Sequence, residues 1–332
     1  ERGGGDAGTQ YALIVMNTNE KKTSVTASGT NIMKLTVAPG VRNRLAAEGK
    51  KNFLMFGEAF DGNDQLLGSY TAPNEMDSVF YFSQHYQVFR DVFEYAHDPT
   101  QQKGTQQIAD LWTQRATNYS NLPQPGGIGI SPQKVPINFI DNHDVARFLF
   151  DSNGDVAALR NALTLQLTEE GIPCVYYGTE QDFSGGNDPS NREVLWNTNF
   201  ATTGDTFTHL AKLTRLRKTY SALREGDTNV VWASNDIAAE DDAGIFAFER
   251  GGGDAGTQYA LIVMNTNEKK TSVTASGTNV MKLTVAPGTT LVDLLDPAQA
   301  TYSVGSDGSL RMSVTPMGAS LLVPQDQVVS SP

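Results

Sequence analysis

The chain has 332 residues and a formal net charge of −12, with its 25 Lys and Arg scattered rather than clustered. That balance repels phosphate backbones, so nucleic acid is not an expected partner. Hydrophobic residues at 39% indicate a globular protein with room for two domains, and no apolar run approaches the roughly 20 residues a bilayer requires, so no membrane partner is expected either.

The first element is a duplication. Glu1–Gly40 recurs as Glu249–Gly288 with a single difference, Ile32 against Val280, and the match stops where Val41 faces Thr289. Repeats that build solenoids or propellers recur several times at a short period and drift in sequence. Two near-identical copies far apart therefore indicate a duplicated or recombined segment, residues 1–40, rather than an architecture. These opening residues lack the basic, apolar, small-residue layout of an export signal, so none is expected in the chain as it stands.

From Val41 to about Gly226, short apolar runs alternate with helical periods, the pattern of βα units around a parallel sheet. Four strands are predicted, in Asn52–Phe60, Asp77–Phe82, Val135–Ile140 and Ile172–Gly178. Between and after them, Val156, Leu159, Leu163 and Leu167 share one helical face, as do Leu210, Leu213, Leu216, Tyr220 and Leu223. The single cysteine, Cys174, lies within "GIPCVYYG", which excludes an internal disulfide and a thiolate metal cluster; a buried, inert thiol is expected. Residues 227–328 change texture to short strands separated by Gly, Asn and Asp turns: "GIFAFE", "YALIVMNTN", "KTSVTAS", "MKLTVAP", "SLRMSVTP" and "GASLLVP". This predicts an antiparallel β domain. The opening segment copies the middle of that domain without its flanking strands, so it cannot close a sandwich alone and leaves strand edges exposed.

Chemistry concentrates at two strand ends. "FLMFGEAFDGND" places Glu58 just past one strand, and "INFIDNHDVARF" places Asp141, Asn142, His143 and Asp144 past a later one. In a parallel βα arrangement these ends open onto one face. Carboxylates and an imidazole in one crevice suit glycoside chemistry, in which one carboxylic acid protonates a leaving oxygen while other groups stabilise an oxocarbenium-like centre. A second reading stands beside each residue: Glu58 as a loop carboxylate tied to its own turn, Asp141 and Asn142 as turn formers, and His143 with Asp144 as a satisfied polar pair.

"GEAFDG", "FIDNHDVARF", "GIPCVYYGTEQ" and "NDPSNREVLW", in that order and followed by an antiparallel domain, resemble the α-amylase family, glycoside hydrolase family 13. The resemblance runs from Val41 to about Gln325. It implies an α/β plus all-β chain: the C-terminal half of a (β/α)8 TIM-type barrel, residues 41–226, followed by an antiparallel β-sandwich domain. It further implies hydrolysis of α-1,4-glucans, with Glu58 as general acid/base, Asp144 as the carboxylate that steadies the transition state, and His143 and Asn142 as substrate-binding residues. Asp61 is the further carboxylate beside them. The family's nucleophilic Asp stands in a Gly-x-Arg-x-Asp setting upstream of the helix that begins here at Val41, and no such segment occurs in these residues. An impaired enzyme is therefore expected; a non-catalytic glucan-binding or assembly module, or a recombined fragment, is the alternative. Calcium is common in the family, but most of its ligands belong to the half not found here, so no metal ligand is assigned. Secretion is implied by resemblance alone. Open barrel edges lead to an expectation of self-association.

Overall fold

The computed structural model describes residues 2–3, 11–12, 37–50 and 53–329, with side chains from Gly40 onward. It contains two compact units, residues 1–37 and 38–332. In the first, β1 (Arg2–Gly3) pairs antiparallel with β2 (Tyr11–Ala12). Of the rest of the duplicated segment only Val37–Gly40 is described, at the start of a helix; its other residues, and any competition between the two copies, lie outside the described residues.

α1 (Val37–Ala47) starts four residues ahead of the expected Val41, inside the duplicated segment; within the second unit its Arg42 Nη2 forms a buried ion pair with Asp77 Oδ2 at 3.0 Å, and the same carboxylate oxygen accepts from the Met55 N–H at 2.9 Å. Four parallel strands follow: β3 (Phe56–Gly57), β4 (Ser78–Val79), β5 (Ile137–Asn138) and β6 (Ile172–Pro173). β3 pairs with β4, a bridge from Phe80 to Ile137 joins β4 to β5, and β5 pairs with β6. Each predicted strand is present, but each is shorter than its apolar run. The ladder is thin because β3 and β6 have a partner on one side only among the described residues, and Phe53 and Phe56 stay 46% and 49% exposed.

Helices α2 (Asp64–Ser69), α3 (Phe82–Gln84), α4 (Gln106–Asn118), α5 (Phe148–Asp151), α6 (Val156–Thr168), α7 (Asp205–Thr219) and α8 (Ala222–Glu225) complete this part. Asp155 caps α6 by accepting from the Ala158 N–H at 2.9 Å. The predicted stripe on α6 understates its burial: Leu159, Asn161, Leu163, Thr164, Leu165 and Gln166 are all buried, because the helix lies between the parallel strands and the β domain. The second stripe is cut at Tyr220, where α7 ends and a turn leads into α8, so Leu223 belongs to a separate helix.

The C-terminal part of this unit is a six-stranded antiparallel sheet, in order β14 (Thr301–Ser303), β13 (Thr290–Asp293), β16 (Ala319–Pro324), β9 (Tyr259–Asn265), β8 (Ile245–Gly251) and β7 (Asp227–Ala233). One of its faces, with Phe246, Phe248, Ile262, Met264, Leu321 and Val323, joins the core of the helical part. The other, with Ile245, Ala247, Leu261, Val263 and Leu322, packs on Met281, Leu283, Leu310, Met312 and Val314. Two short ribbons, β10 (Ser272–Val273) with β15 (Ser313–Val314) and β11 (Ala275–Ser276) with β12 (Asn279–Val280), stand where the sandwich expectation puts a full second sheet. "MKLTVAP" forms no ladder beyond a bridge from Lys282 to Ser309, whereas β13 and β14, absent from the predicted set, do form. No helix among the described residues is long and apolar enough to cross a membrane.

Glu169 is a buried carboxylate at the seam between the helical part and the sheet. It accepts from Gln84 Nε2 at 2.8 Å, while nearby Arg217 and Arg250 spend their N–H groups on the carbonyls of Leu167, Gly171, Thr168 and Gly226. Burial raises its pKa to about 8. A folded-state pKa above the unfolded value contributes stability at low pH that is lost as pH rises through the folded value. The urea midpoint is therefore expected to fall between pH 6 and pH 9, and Glu169→Gln to flatten that fall; an equally steep fall in the variant removes Glu169 as its source.

Candidate active site

The crevice forms where β3 and β5 end. Glu58 follows β3 directly and is covered on one side only, with much of its surface open, whereas Asp141 is buried at the end of the β5 segment. That end is fixed from behind by His85, the first residue of π-helical turns, His85–Phe93, that continue α3. Its Nδ1 lies 2.7 Å from the Ile140 carbonyl and its ring stacks on Phe139. Burial lowers its pKa to about 4, so the ring is neutral at pH 7, with Nδ1–H donating to that carbonyl.

Asp141 points inward. Its Oδ2 accepts from the Phe148 N–H at 3.1 Å, holding the start of α5, and its Oδ1 accepts from Thr179 Oγ1 at 3.3 Å. Burial outweighs the nearby Arg147 guanidinium and raises its pKa to about 6. Asn142, also buried, accepts from the Asp144 N–H at 2.8 Å through Oδ1 and so shapes the turn. His143 and Asp144 project outward as a pair, Nε2 to Oδ1 at 3.5 Å, with 47% and 41% of their side chains exposed. Glu58 is the third member of this group: its pKa is raised, first by partial burial and then by the Asp144 carboxylate, with His143 acting in the opposite sense. The structure thus brings Glu58, His143 and Asp144 together and keeps Asp141 and Asn142 beneath them. Asp61 belongs to the loop beyond Glu58, where its Oδ1 accepts from the Asn63 N–H at 2.8 Å.

A second layer carries no assigned role in the sequence reading. Arg147 is wholly buried; its Nε lies 3.1 Å from Glu193 Oε2, its Nη1 lies 4.0 Å from Asp141 Oδ1, and its guanidinium sits 4.0 Å over the Tyr176 ring. Glu193 also accepts from the backbone N–H groups of Ser184 and Gly185, closing the 183–193 loop. Gly185 is required there because a Cβ would strike the Ser190 carbonyl. Asn191 donates to the carbonyls of Val145 and Asn142, and Arg192, paired with Asp188, reaches the His143 carbonyl at 3.4 Å. "NDPSNRE" therefore buttresses the "DNHD" turn; the signal for this role lies in the ion-pairing residue types of that segment, whose partner is fixed only by the fold.

Cys174 is partly buried, and burial pushes its thiol pKa up, away from nucleophilic character. Among the described residues no three His, Cys, Asp or Glu side chains converge as metal ligands.

The family description "Alpha amylase, catalytic domain" matches residues 16–205, a span that begins inside the duplicated segment, ahead of Val41. A Beta/alpha-amylase of Paenibacillus polymyxa is 35% identical over 191 residues, which is 55% of this chain and 14% of that protein. A cyclomaltodextrin glucanotransferase of Bacillus sp. (strain 1011) is 46% identical over 101 residues, 30% of this chain and again 14% of its own length. The chain thus spans a small part of these relatives. Among solved structures, an alpha-amylase from Malbranchea cinnamomea aligns with a TM-score of 0.68 at 21% identity, covering 89% of this chain and 55% of that one. The alpha-amylase of Geobacillus thermoleovorans, complexed with acarbose, aligns with a TM-score of 0.65 at 19% identity, covering 85% and 56%. With the catalytic-domain match covering more than half of its residues, this chain belongs to the alpha-amylase family.

Proposed function

We propose that the crevice binds α-1,4-glucans, and that residues 41–226 are the C-terminal half of a glycoside-hydrolase barrel, with residues 227–328 as its β domain. Glu58 is read as the general acid/base, Asp144 as the carboxylate that steadies an oxocarbenium-like centre through sugar hydroxyls, and His143 as a hydroxyl donor or acceptor. Asn142 serves by holding the turn that presents them. The observation that carries this reading is the gathering of Glu58 with the outward His143–Asp144 pair where β3 and β5 end, close enough that the Asp144 carboxylate, together with partial burial, raises the Glu58 pKa. A general acid must remain protonated near working pH, and such an environment favours that form. Because no Gly-x-Arg-x-Asp segment occurs in these residues, the 332-residue chain is read as binding glucan with little turnover.

Calorimetry with maltotriose tests the binding half of the proposal. His143→Ala removes one hydroxyl contact and is expected to weaken binding by about tenfold, in line with the roughly 1 kcal/mol of a single hydrogen bond. Glu58→Gln keeps hydrogen-bonding capacity and is expected to bind within about threefold of the parent, a difference below roughly 1 kcal/mol. Equal heats for the parent and His143→Ala exclude His143 from the site.

A further inference from the structure

An Asp or Asn precedes glycine at three places in the chain: Asp61–Gly62, Asn153–Gly154 and Asp307–Gly308. At such a bond the glycine nitrogen can attack the preceding side-chain carbonyl carbon and close a five-membered imide, because glycine has no Cβ to obstruct the approach. Asp61, Asn153 and Asp307 are all exposed, so exposure does not rank them. Their hydrogen bonding does.

At Asn153–Gly154 the attacking nitrogen is engaged: the Gly154 N–H donates to the Leu149 carbonyl at 2.8 Å, in the turn between α5 and α6. At Asp307–Gly308 the Gly308 N–H donates to the Gly305 carbonyl at 3.0 Å. Lys282 and Ser309 also bind the Asp307 carboxyl and hold its pKa well below the usual carboxylate range, and an ionised carboxylate resists nucleophilic attack. Asp61–Gly62 is set up differently. The Gly62 N–H has no hydrogen-bond partner among the described residues. Asp61 Oδ1 accepts from the Asn63 N–H at 2.8 Å, an Asx turn whose hydrogen-bonded ring contains both the Asp61 carboxyl carbon and the Gly62 nitrogen. The same bond polarises that carbon.

We propose that Asp61–Gly62 is a site of spontaneous covalent modification, at which Asp61 isomerises to isoaspartate through a succinimide. The Gly62 nitrogen bonds to Cγ of the protonated Asp61 carboxyl while a Cγ–O bond breaks; that hydroxyl leaves with the nitrogen's proton as water. Water then adds to the imide. Cleavage at Cγ restores Asp61, whereas cleavage at the main-chain carbonyl leaves Gly62 linked through Cγ, with no change in mass and an extra methylene in the main chain. The insertion falls just beyond Glu58, where Gly62 lies so close to Tyr86 that a Cβ on it would stand 3.2 Å from that ring. Lengthening the chain here displaces the loop, and on the reading of the crevice given above it weakens glucan binding.

The test incubates the full chain and Asp61→Glu, whose longer side chain closes a six-membered imide far more slowly, at pH 5, both folded and in urea. Isoaspartate is located by methyl transfer from S-adenosylmethionine with an isoaspartate-specific methyltransferase, followed by peptide mapping. In the folded parent the Asp61 peptide is expected to gain label about fivefold or more faster than the Asn153 and Asp307 peptides, the rate equivalent of the hydrogen bond that each of those nitrogens must break. In urea that preference is expected to disappear, and Asp61→Glu should lose label at that peptide alone. Label at Asn153 or Asp307 that equals or exceeds Asp61 in the folded parent overturns the inference, as does an Asp61 peptide that labels only in urea. Calorimetry of fresh and aged chains with maltotriose reads the consequence: binding is expected to weaken in the aged parent and not in aged Asp61→Glu. Equal heats despite accumulated isoaspartate overturn the link to the crevice. No heat in the fresh chain overturns the crevice reading, while the peptide map still decides the modification.

Discussion

The purified 332-residue chain is expected to cleave an aryl α-maltoside on the order of 10⁴-fold or more slowly than intact relatives, while unfolding cooperatively and eluting as one species. Retaining glycosidases place a nucleophile and an acid/base carboxylate about 5–5.5 Å apart across the anomeric carbon. In the proposed reading Glu58 offers the acid/base. Asp144 is held by its His143 contact, and its own N–H is bound by Asn142, which aims it at ring hydroxyls in the reading proposed here. With no attacking carboxylate, an external anion should restore part of the rate. Azide with α-maltosyl fluoride is expected to yield β-maltosyl azide: a C–N bond forms on the face opposite the breaking C–F bond, and fluoride leaves with the electron pair. Fluoride needs little protonation, so Glu58→Gln should retain this reaction while losing azide-dependent cleavage of an alkyl maltoside, whose leaving oxygen must be protonated. The latter reaction should decline as pH rises through the elevated Glu58 pKa, because only the protonated form donates. Rapid cleavage with retention and no azide dependence would sink this account and direct attention to Asp61 and Asp144 as substitute nucleophiles. Aggregation on the sizing column, with no cooperative transition, would attribute inactivity to folding instead.

Arg147→Ala is expected to destabilise the chain by about 3–5 kcal/mol at pH 8, the usual cost of breaking a buried ion pair by removing one partner. The guanidinium lies between Glu193 and Asp141 and covers Tyr176, so its loss strands two carboxylates and opens a cavity. The effect should depend on pH. Asp141 already has a pKa raised to about 6 by burial, with Arg147 holding it down; without Arg147 it rises further. A raised folded-state pKa contributes stability at low pH that is lost as pH increases, so the variant should approach the parent near pH 5, where Asp141 is largely protonated, and diverge by pH 8. Arg147→Lys keeps the charge without the planar fork or the stacking, and should fall between the two. Because Glu193 closes the 183–193 loop, limited proteolysis within that loop should accelerate in Arg147→Ala, and maltotriose binding should weaken with it. Urea midpoints that match the parent at pH 8 would show that Arg147 is not the latch.

Sequence alone determined the identity of the chemical groups and the order in which they occur. Glu58 and the Asp141–Asp144 run are recognisable because short apolar runs end in polar turns, and a parallel βα pattern sends such ends to one face. The alternating faces of β8 and β9 were less legible. Both faces of the sheet are covered, one by the helical part and one by the ribbons, so period-two alternation of apolar and polar residues is replaced by continuous apolar sequence. The same burial on all sides explains why α6 exceeds its predicted stripe. What tertiary structure decided was the division of labour within "DNHD". Whether a carboxylate turns inward to Phe148 and Thr179, as Asp141 does, or outward toward Glu58, as Asp144 does, depends on neighbours distant in the chain. Arg147 and Glu193 are an ordinary Arg and Glu in the sequence; only the return of the 183–193 loop makes a buried Arg and a half-buried Glu one ion pair, because ion pairing is set by distance in space and not along the chain.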